Sequence, residues 1–445
     1  MRDDELPHET LGPIDERQPG RQRRRLRDLL RRVTIDVSAL RASGPFRRMF
    51  LAQLLSSVGS QVTLVALFYQ VYHLHKSTLE TGLLGLFMVV PTLTVALAGG
   101  AIADAMDRRR LLIIVQVLMG AVSLSLALLA LQGDPPLWAL YLLGALVSCF
   151  AAVDGPARTA VIPALVGPDH LRSAIQLREV LTQSGRTFGP VIGGLLIYQV
   201  GLGAAYLVDV ASFVVAFVLF LGLPSLMPET RRKFEFSSIV EAMHFVGARP
   251  VLAASFYADI IAMVFGQQRA LFPAYADRIF DAGPITYSLL FAAPSAGALL
   301  GIAFLGLFRN VQREGRAVLL AVAAWGLCIT LFAVSPFFWM ALVFLAIAGA
   351  ADMVSAVFRQ TILLTIVPDE LRGRMSAVHI MVVTGGPPVG DMLSGGAGSL
   401  IGVRQSSLGG GIACIAGIAV LAKRVPSFVR WVDPRRGEAA ATPEA

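Results

Sequence analysis

Eight ionisable side chains sit inside otherwise apolar runs: Asp154, Arg186, Asp209, Asp259, Arg269, Asp352, Arg359 and Asp391. A charge exposed to hydrocarbon costs about 3 kcal/mol on insertion scales, so such residues face an interior, a cavity or one another. An unpaired aspartate there is a candidate proton carrier, and an arginine is a candidate partner for an acidic cargo. Asp259 and Arg269 are ten residues apart. On one continuous helix that is close to three turns, which puts both on one face and both against a central cavity. Asp154 and Asp352 lie near the ends of their runs, where pairing with Arg108, Arg109, Arg158 or Arg359 is favoured over proton carriage. The chemistry open to Asp209 and Asp391 is ambiguous, and no single aspartate stands out as the coupling site.

Uncharged polar residues add a second set. Gln53, Ser57 and Gln61 recur every four residues and make one stripe on an apolar helix, suited to lining a cavity or to hydrogen bonding between helices. Tyr69, Phe256, Tyr257, Gln267 and Gln268 are further cavity candidates. This mixture fits a mid-sized amphipathic small molecule, and Arg269 suits an acidic or catecholate group better than a cation. Cys149, Cys328 and Cys414 are isolated in apolar runs and the six histidines are scattered, so no metal site or clustered catalytic group is read. No phosphate-cradling glycine loop followed by Lys and Ser or Thr occurs, which excludes an ATP-driven pump within this chain. No cofactor is expected beyond a proton gradient.

These residues need elements to hold them. The 445 residues are 55% hydrophobic and only 15% charged, a balance that points to a membrane protein of many spans. Twelve runs are long enough to cross a hydrocarbon core about 30 Å thick as helices: roughly 47–73, 81–103, 111–132, 136–158, 175–200, 203–224, 250–276, 284–308, 316–334, 336–358, 375–401 and 405–424. The fold class read is therefore all-α integral membrane. Most of the 38 Lys and Arg fall in the tails and alternate loops, against only Lys76, Arg278 and Arg404 in the opposite loops. Positive charge is retained inside, so both termini are expected in the cytoplasm and the protein in the plasma (inner) membrane. The net charge of +8 is then a topological signal, and nucleic acid is not a partner. Residues 1–45 read as a basic, disordered tail touching anionic lipid through Arg21 to Arg32, with no signal peptide. Residues 425–445 read as a second cytoplasmic tail.

Pro168-Asp169-His170-Leu171-Arg172 returns 200 residues later as Pro368-Asp369-Glu370-Leu371-Arg372. Each copy follows a run ending in an arginine (Arg158, Arg359) and precedes a Gly/Pro-rich span (Gly185 to Gly194, Gly385 to Gly396). Two parallel six-helix repeats are expected, 46–224 and 250–424, joined by a cytoplasmic linker at 225–249.

Two motifs carry a resemblance. The hinge Gly100 to Arg110 resembles the loop after the second helix of major facilitator transporters, Gly-x-Leu-Ala-Asp-x-x-Gly-Arg-Lys/Arg, matched at Gly100, Asp104, Arg108 and Arg109. It departs at Asp107, which stands where the motif has its second glycine. Gly185, Gly189, Pro190, Gly193 and Gly194 match the Gly-x-x-x-Gly-Pro-x-x-Gly-Gly motif of the antiporter branch. Residues 45–424 as a whole resemble the drug and siderophore exporter branch of that superfamily. The resemblance implies the major facilitator fold, a cytoplasmic latch at the hinge that forms in one state and breaks in the other, and export by proton antiport, with a monomer as the class expectation. An arginine in the middle of the fourth span, usual in many drug antiporters, is missing here. A multidrug or macrolide pump, an importer of the same fold and a transport-dead membrane sensor are the rivals.

Overall fold

In a computed structural model of the chain, residues 36–227, 236–304, 311–368 and 371–432 are described, and among them every regular element is helical. The elements are α1 (Gly44–His75), α2 (Thr78–Ala105), α3 (Arg108–Gln132), α4 (Leu137–Gln199), α5 (Leu202–Leu221), α6 (Phe236–Gly247), α7 (Pro250–Gly266), α8 (Pro284–Phe304), α9 (Glu314–Val334), α10 (Phe338–Ile366), α11 (Arg372–Ile401) and α12 (Val403–Arg424). Ten stretches among the described residues are long and apolar enough to cross a membrane. The tail Arg21 to Arg32, the linker residues Arg231 to Lys233, the pair Asp369 and Glu370, and the side chains of Gly100 and Asp104 lie outside the described set.

The ends of the helices follow local chemistry. Ser43 and Ser77 accept hydrogen bonds from Phe46 N (3.2 Å) and Glu80 N (3.3 Å), capping α1 and α2. Two boundaries differ from the sequence expectation. The fourth and fifth apolar runs are joined by a kink and not by a loop: two helices, labelled together α4, meet end to end at Gly167, whose φ of +70° and ψ of 176° are not helical and are open to glycine. Pro168 follows at once, so one copy of the repeated pentapeptide lies at this kink. The seventh run is not continuous: α7 stops at Gly266, and residues 269–279 form a short 3-10 turn, a helical turn at Phe272–Ala274 and a π turn.

Close approaches between backbones set the packing. A Cβ on Gly189 would stand 2.5 Å from Gln61 Cβ, and one on Gly185 would strike Ser57 Oγ, so α4 lies directly on α1. A Cβ on Gly82 would stand 2.8 Å from the Asp391 carbonyl oxygen, so α2 lies equally close on α11. Small residues at such crossings are the usual means of helix association where no water drives it. The stretch of α4 beyond Gly167 also meets α8, with Gly194 against Ser288.

The buried side chains divide unevenly. One core runs through both halves of the chain around Tyr72, Tyr206, Tyr275, Tyr287 and Phe332. Nearer the chain termini two clusters stand apart from it, one in the first half around Phe46, Leu112, Ile162 and Phe220 and one in the second around Leu252, Phe256, Leu363 and Met375, while the shared core runs on through the second half alone to Leu421 and Phe428. Among the described residues the halves are therefore packed together at the face opposite the termini and have separate cores at the terminal face.

Gly189→Leu drives a side chain into Gln61 and is expected to lower stability by about 1–3 kcal/mol. Thermal unfolding of the purified protein in detergent measures it; the outward-facing Phe188→Leu, on a side chain 58% exposed, is the control expected to change little.

Candidate functional site

A cavity of about 480 Å³ lies between the halves. Its wall includes Gln61 of α1, Met88 of α2, Gln183 and Arg186 of α4, Gln267 and Arg269 at the break after α7, and Asp352 and Asp391 of α10 and α11. Phe68, Phe272, Phe291 and Trp325 supply aromatic surface. The wall is thus mostly apolar with a few polar groups converging, as small-molecule sites generally are.

The charges inside the protein fall into separate groups. Asp391 is completely buried; its Oδ2 accepts from Arg269 Nη2 at 2.8 Å and from Arg269 Nε at 3.2 Å, and its Oδ1 accepts from Ala270 N at 3.3 Å. The Arg269 side chain keeps 28% exposure, on the cavity side. Arg359 of α10 donates to Ser355 Oγ at 3.0 Å and pairs with Asp259 of α7 at 2.9 Å, with Asp352 at 3.9 Å. A small second void beside this pair is lined by Ser255, Phe256, Leu363 and His379. In the first half, Arg158 pairs with Asp154 at 2.6 Å and donates to Ser56 Oγ at 3.1 Å and Gln116 Oε1 at 3.4 Å. Gln116 in turn donates to Asp154 at 3.1 Å. Asp209, 1% exposed, accepts from the hydroxyls of Thr63 (2.6 Å), Ser123 (2.7 Å) and Ser212 (3.2 Å) and meets no cation among the described residues.

Several sequence expectations change. Asp259 and Arg269 do not share a face, because the helix joining them ends at Gly266; Asp259 turns to Arg359 and Arg269 to Asp391. Tyr257 is 57% exposed on the outer surface, since one residue on from the buried Phe256 a helix points elsewhere. Gln53 and Ser57 stand off the cavity wall, Ser57 being taken up by the crossing at Gly185. Gln61 and Gln267 do line it. Sequence reasoning passed over Gln183 and Trp325, and noted Arg186 without a role. The signal for the first and last was their spacing of three, which puts them on one side of α4 while Gly185 and Gly189 occupy another.

The hinge is built differently from its motif. Asp107 has φ −56°, an ordinary value, so no glycine conformation is needed there. Its carboxylate caps α3 by accepting from Arg109 N at 2.9 Å and holds the chain after α5 through Leu226 N (3.1 Å) and Ser225 Oγ (2.8 Å). Arg108 donates to Ala160 O at 2.9 Å and Arg109 to Leu221 O at 2.6 Å, both within the first half.

At the opposite face Lys76 Nζ lies 2.7 Å from Asp277, which also accepts from Tyr72 Oη at 3.0 Å. Arg278 donates to Lys76 O, and Tyr287 Oη donates to Val65 O at 3.0 Å. These bonds tie α1 to the second half and close that end of the cavity.

The family model for transmembrane secretion effectors matches residues 37–434. The chain belongs to that family of major facilitator transporters. Among curated relatives of this secretion-effector chain, the enterobactin exporter EntS of Escherichia coli O1:K1 is 28% identical over 389 residues, covering 87% of this chain and 93% of that protein. EntS of Shigella boydii serotype 18 matches to the same extent. Solved structures share the fold. A bacterial homologue of the human lysosomal transporter Spinster, inward-facing and unoccupied, has a TM-score of 0.69 at 17% identity, covering 87% of this chain and 98% of that one. The nucleoside transporter NupG has a TM-score of 0.69 at 15% identity, covering 87% and 100%. The secretion-effector fold is that of transporters and not of enzymes, and needs no cofactor.

Asp391→Asn leaves Arg269 without its counter-charge and is expected to cost about 2 kcal/mol or more, with Arg269→Gln on the same background recovering most of it. A double-mutant cycle by thermal unfolding reads the coupling. At the hinge, burial alone would raise the Asp107 carboxyl, but the donors from Leu226, Ser225 and Arg109 outweigh it and hold it below the usual 3.8. Its stabilisation is therefore full above that value and lost as pH falls through the lowered one. Asp107→Ala is expected to speed hydrogen exchange of the Leu226 amide at neutral pH, where the unaltered protein stays protected.

Proposed function

We propose that the chain is a secondary active exporter that works by alternating access. Twelve crossings in two parallel six-helix repeats, 46–224 and 250–424, carry the cavity between them, with α4 crossing twice about Gly167 and α11 supplying a further crossing. The termini and the 225–249 linker lie in the cytoplasm of a plasma-membrane protein. A small amphipathic molecule enters from the cytoplasm or inner leaflet, the terminal face closes, the bonds of Lys76 and Asp277 open, and the cargo leaves outward. A proton moving inward resets the cycle, with Asp352 the favoured carrier because it lines the cavity and shares Arg359 with Asp259. The latch residues Asp104, Arg108 and Arg109 hold the closed terminal face.

The observation that carries this reading is the cavity itself, capped by a shared core at one face and flanked by separate cores at the other. The relation to EntS supports a siderophore as cargo. The aromatic wall of Phe68, Phe272, Phe291 and Trp325 favours a second reading, a multidrug or macrolide pump.

Efflux is measured from cells with and without the gene, loaded with siderophores, macrolides or dyes. Outward flux that collapses with the proton gradient and with Asp352→Asn, while the protein remains folded and in the membrane, is the expected result. Gene-dependent accumulation would instead make it an importer, and flux indifferent to the gradient would remove proton antiport.

A further inference from the structure

Among the cations in and beside the cavity, Arg186 differs from the others. Arg269 is held by Asp391, and Arg359 by Asp259, Asp352 and Ser355. Arg186 makes no hydrogen bond or ion pair with any described residue, and its side chain is exposed into the cavity. Glu179, two turns back on α4, and Asp352 on the other half act on it only through space. Its placement follows from the helix: Gly185 and Gly189 are pressed against α1, and Arg186, a step of about 100° further round, faces the opening together with Gln183. A guanidinium at this depth without a partner is costly unless water or a ligand completes it. Trp325 lies on the cavity wall with its indole Nε1 packed onto Gly266 and closed off from the cavity, so the ring and not its N–H is what it offers there.

We propose that Arg186 is the anion receptor of the cavity, so that the cargo is an aromatic anion: a carboxylate or comparably ionised oxygen group on the guanidinium and a ring system against Phe68, Phe272 and Phe291. Arg269, which the sequence nominated for an acidic group, is by contrast a structural partner of Asp391. A guanidinium recognises a planar oxyanion with two parallel hydrogen bonds, and the charge-assisted form is about twice as strong as a neutral one. This inference rests on the transporter reading for its meaning but not for its test, which measures binding without flux.

The test is isothermal titration of the purified full-length protein in detergent with three ligands of one shape: 2-naphthoate, its neutral amide and its cationic amidine. The expected order is anion first, by about tenfold or more over the amide, which corresponds to about 1.4 kcal/mol. Arg186→Gln is expected to erase that preference while amide binding and the unfolding temperature stay unchanged, and Arg186→Lys to keep part of it. Equal binding of all three, absence of binding by naphthoate, or an anion preference surviving in Arg186→Gln would each overturn the proposal. Anion binding that depends on Arg186 in a protein that moves no cargo in cells would leave the receptor standing and remove the transport reading alone.

Discussion

A carboxylate with no exposure at all, in the middle of an apolar helix packed on another, is the constraint around which this molecule is arranged. Asp391 cannot stay charged there without donors, and α11 offers none of its own. The donors come from the broken stretch after α7: the guanidinium of Arg269 and the amide of Ala270. That amide is free to turn toward the carboxylate because the helix has stopped at Gly266. The same residue's carbonyl is where α2 touches α11, at Gly82. One residue thus fixes the break in the seventh run, the position of Arg269 on the cavity wall and the seam between the halves.

The two halves solve a similar problem with different means. Each carries an arginine turned toward the first helix of its own half, Arg158 in α4 ahead of the kink at Gly167 and Arg359 near the end of α10. Arg158 has one acid, Asp154, and shares it with the amide of Gln116. Arg359 has two acids, Asp259 and Asp352, the second of which reaches the cavity. Asp209 is satisfied in a third way, by three hydroxyls from three helices, which gives the first half a polar pin without a cation. The cavity-facing charges therefore belong mostly to the second half, and Arg186 is what the first half contributes.

Much of this was legible in the residues. Membrane helices follow from apolar run length, and the glycine spacing at 185 and 189 marks a close crossing because it repeats with the helical turn. Pairing of Asp154 with Arg158 was within reach because four residues on a helix are neighbours. What stayed hidden depends on contacts remote in sequence. Nothing near Gly266 announces that a helix will end there, since its stop is tied to Asp391, over 120 residues away. The gap between the fourth and fifth runs looks like a loop because two helices meeting at one positive-φ glycine followed by a proline have the same local signature. Asp107 reads in the sequence as a departure from the motif's glycine, whereas its value lies in its carboxylate, which needs Ser225 and Leu226 to be useful. Tyr257 illustrates the limit of composition: one step along α7 separates a buried ring from a surface one.

The charges around the cavity also balance. On its wall Arg186 and Arg269 are matched in number by Asp352 and Asp391. When all four are ionised the cavity carries no net charge at this depth, and a proton taken up on Asp352 makes the returning carrier positive by one charge. Any charge displaced on the loaded stroke would then be the cargo's own. For an anion leaving an interior that is negative, each elementary charge is worth about 2.3 kcal/mol per 100 mV. Such a cavity would let voltage, and not only a chemical gradient, set the direction of traffic.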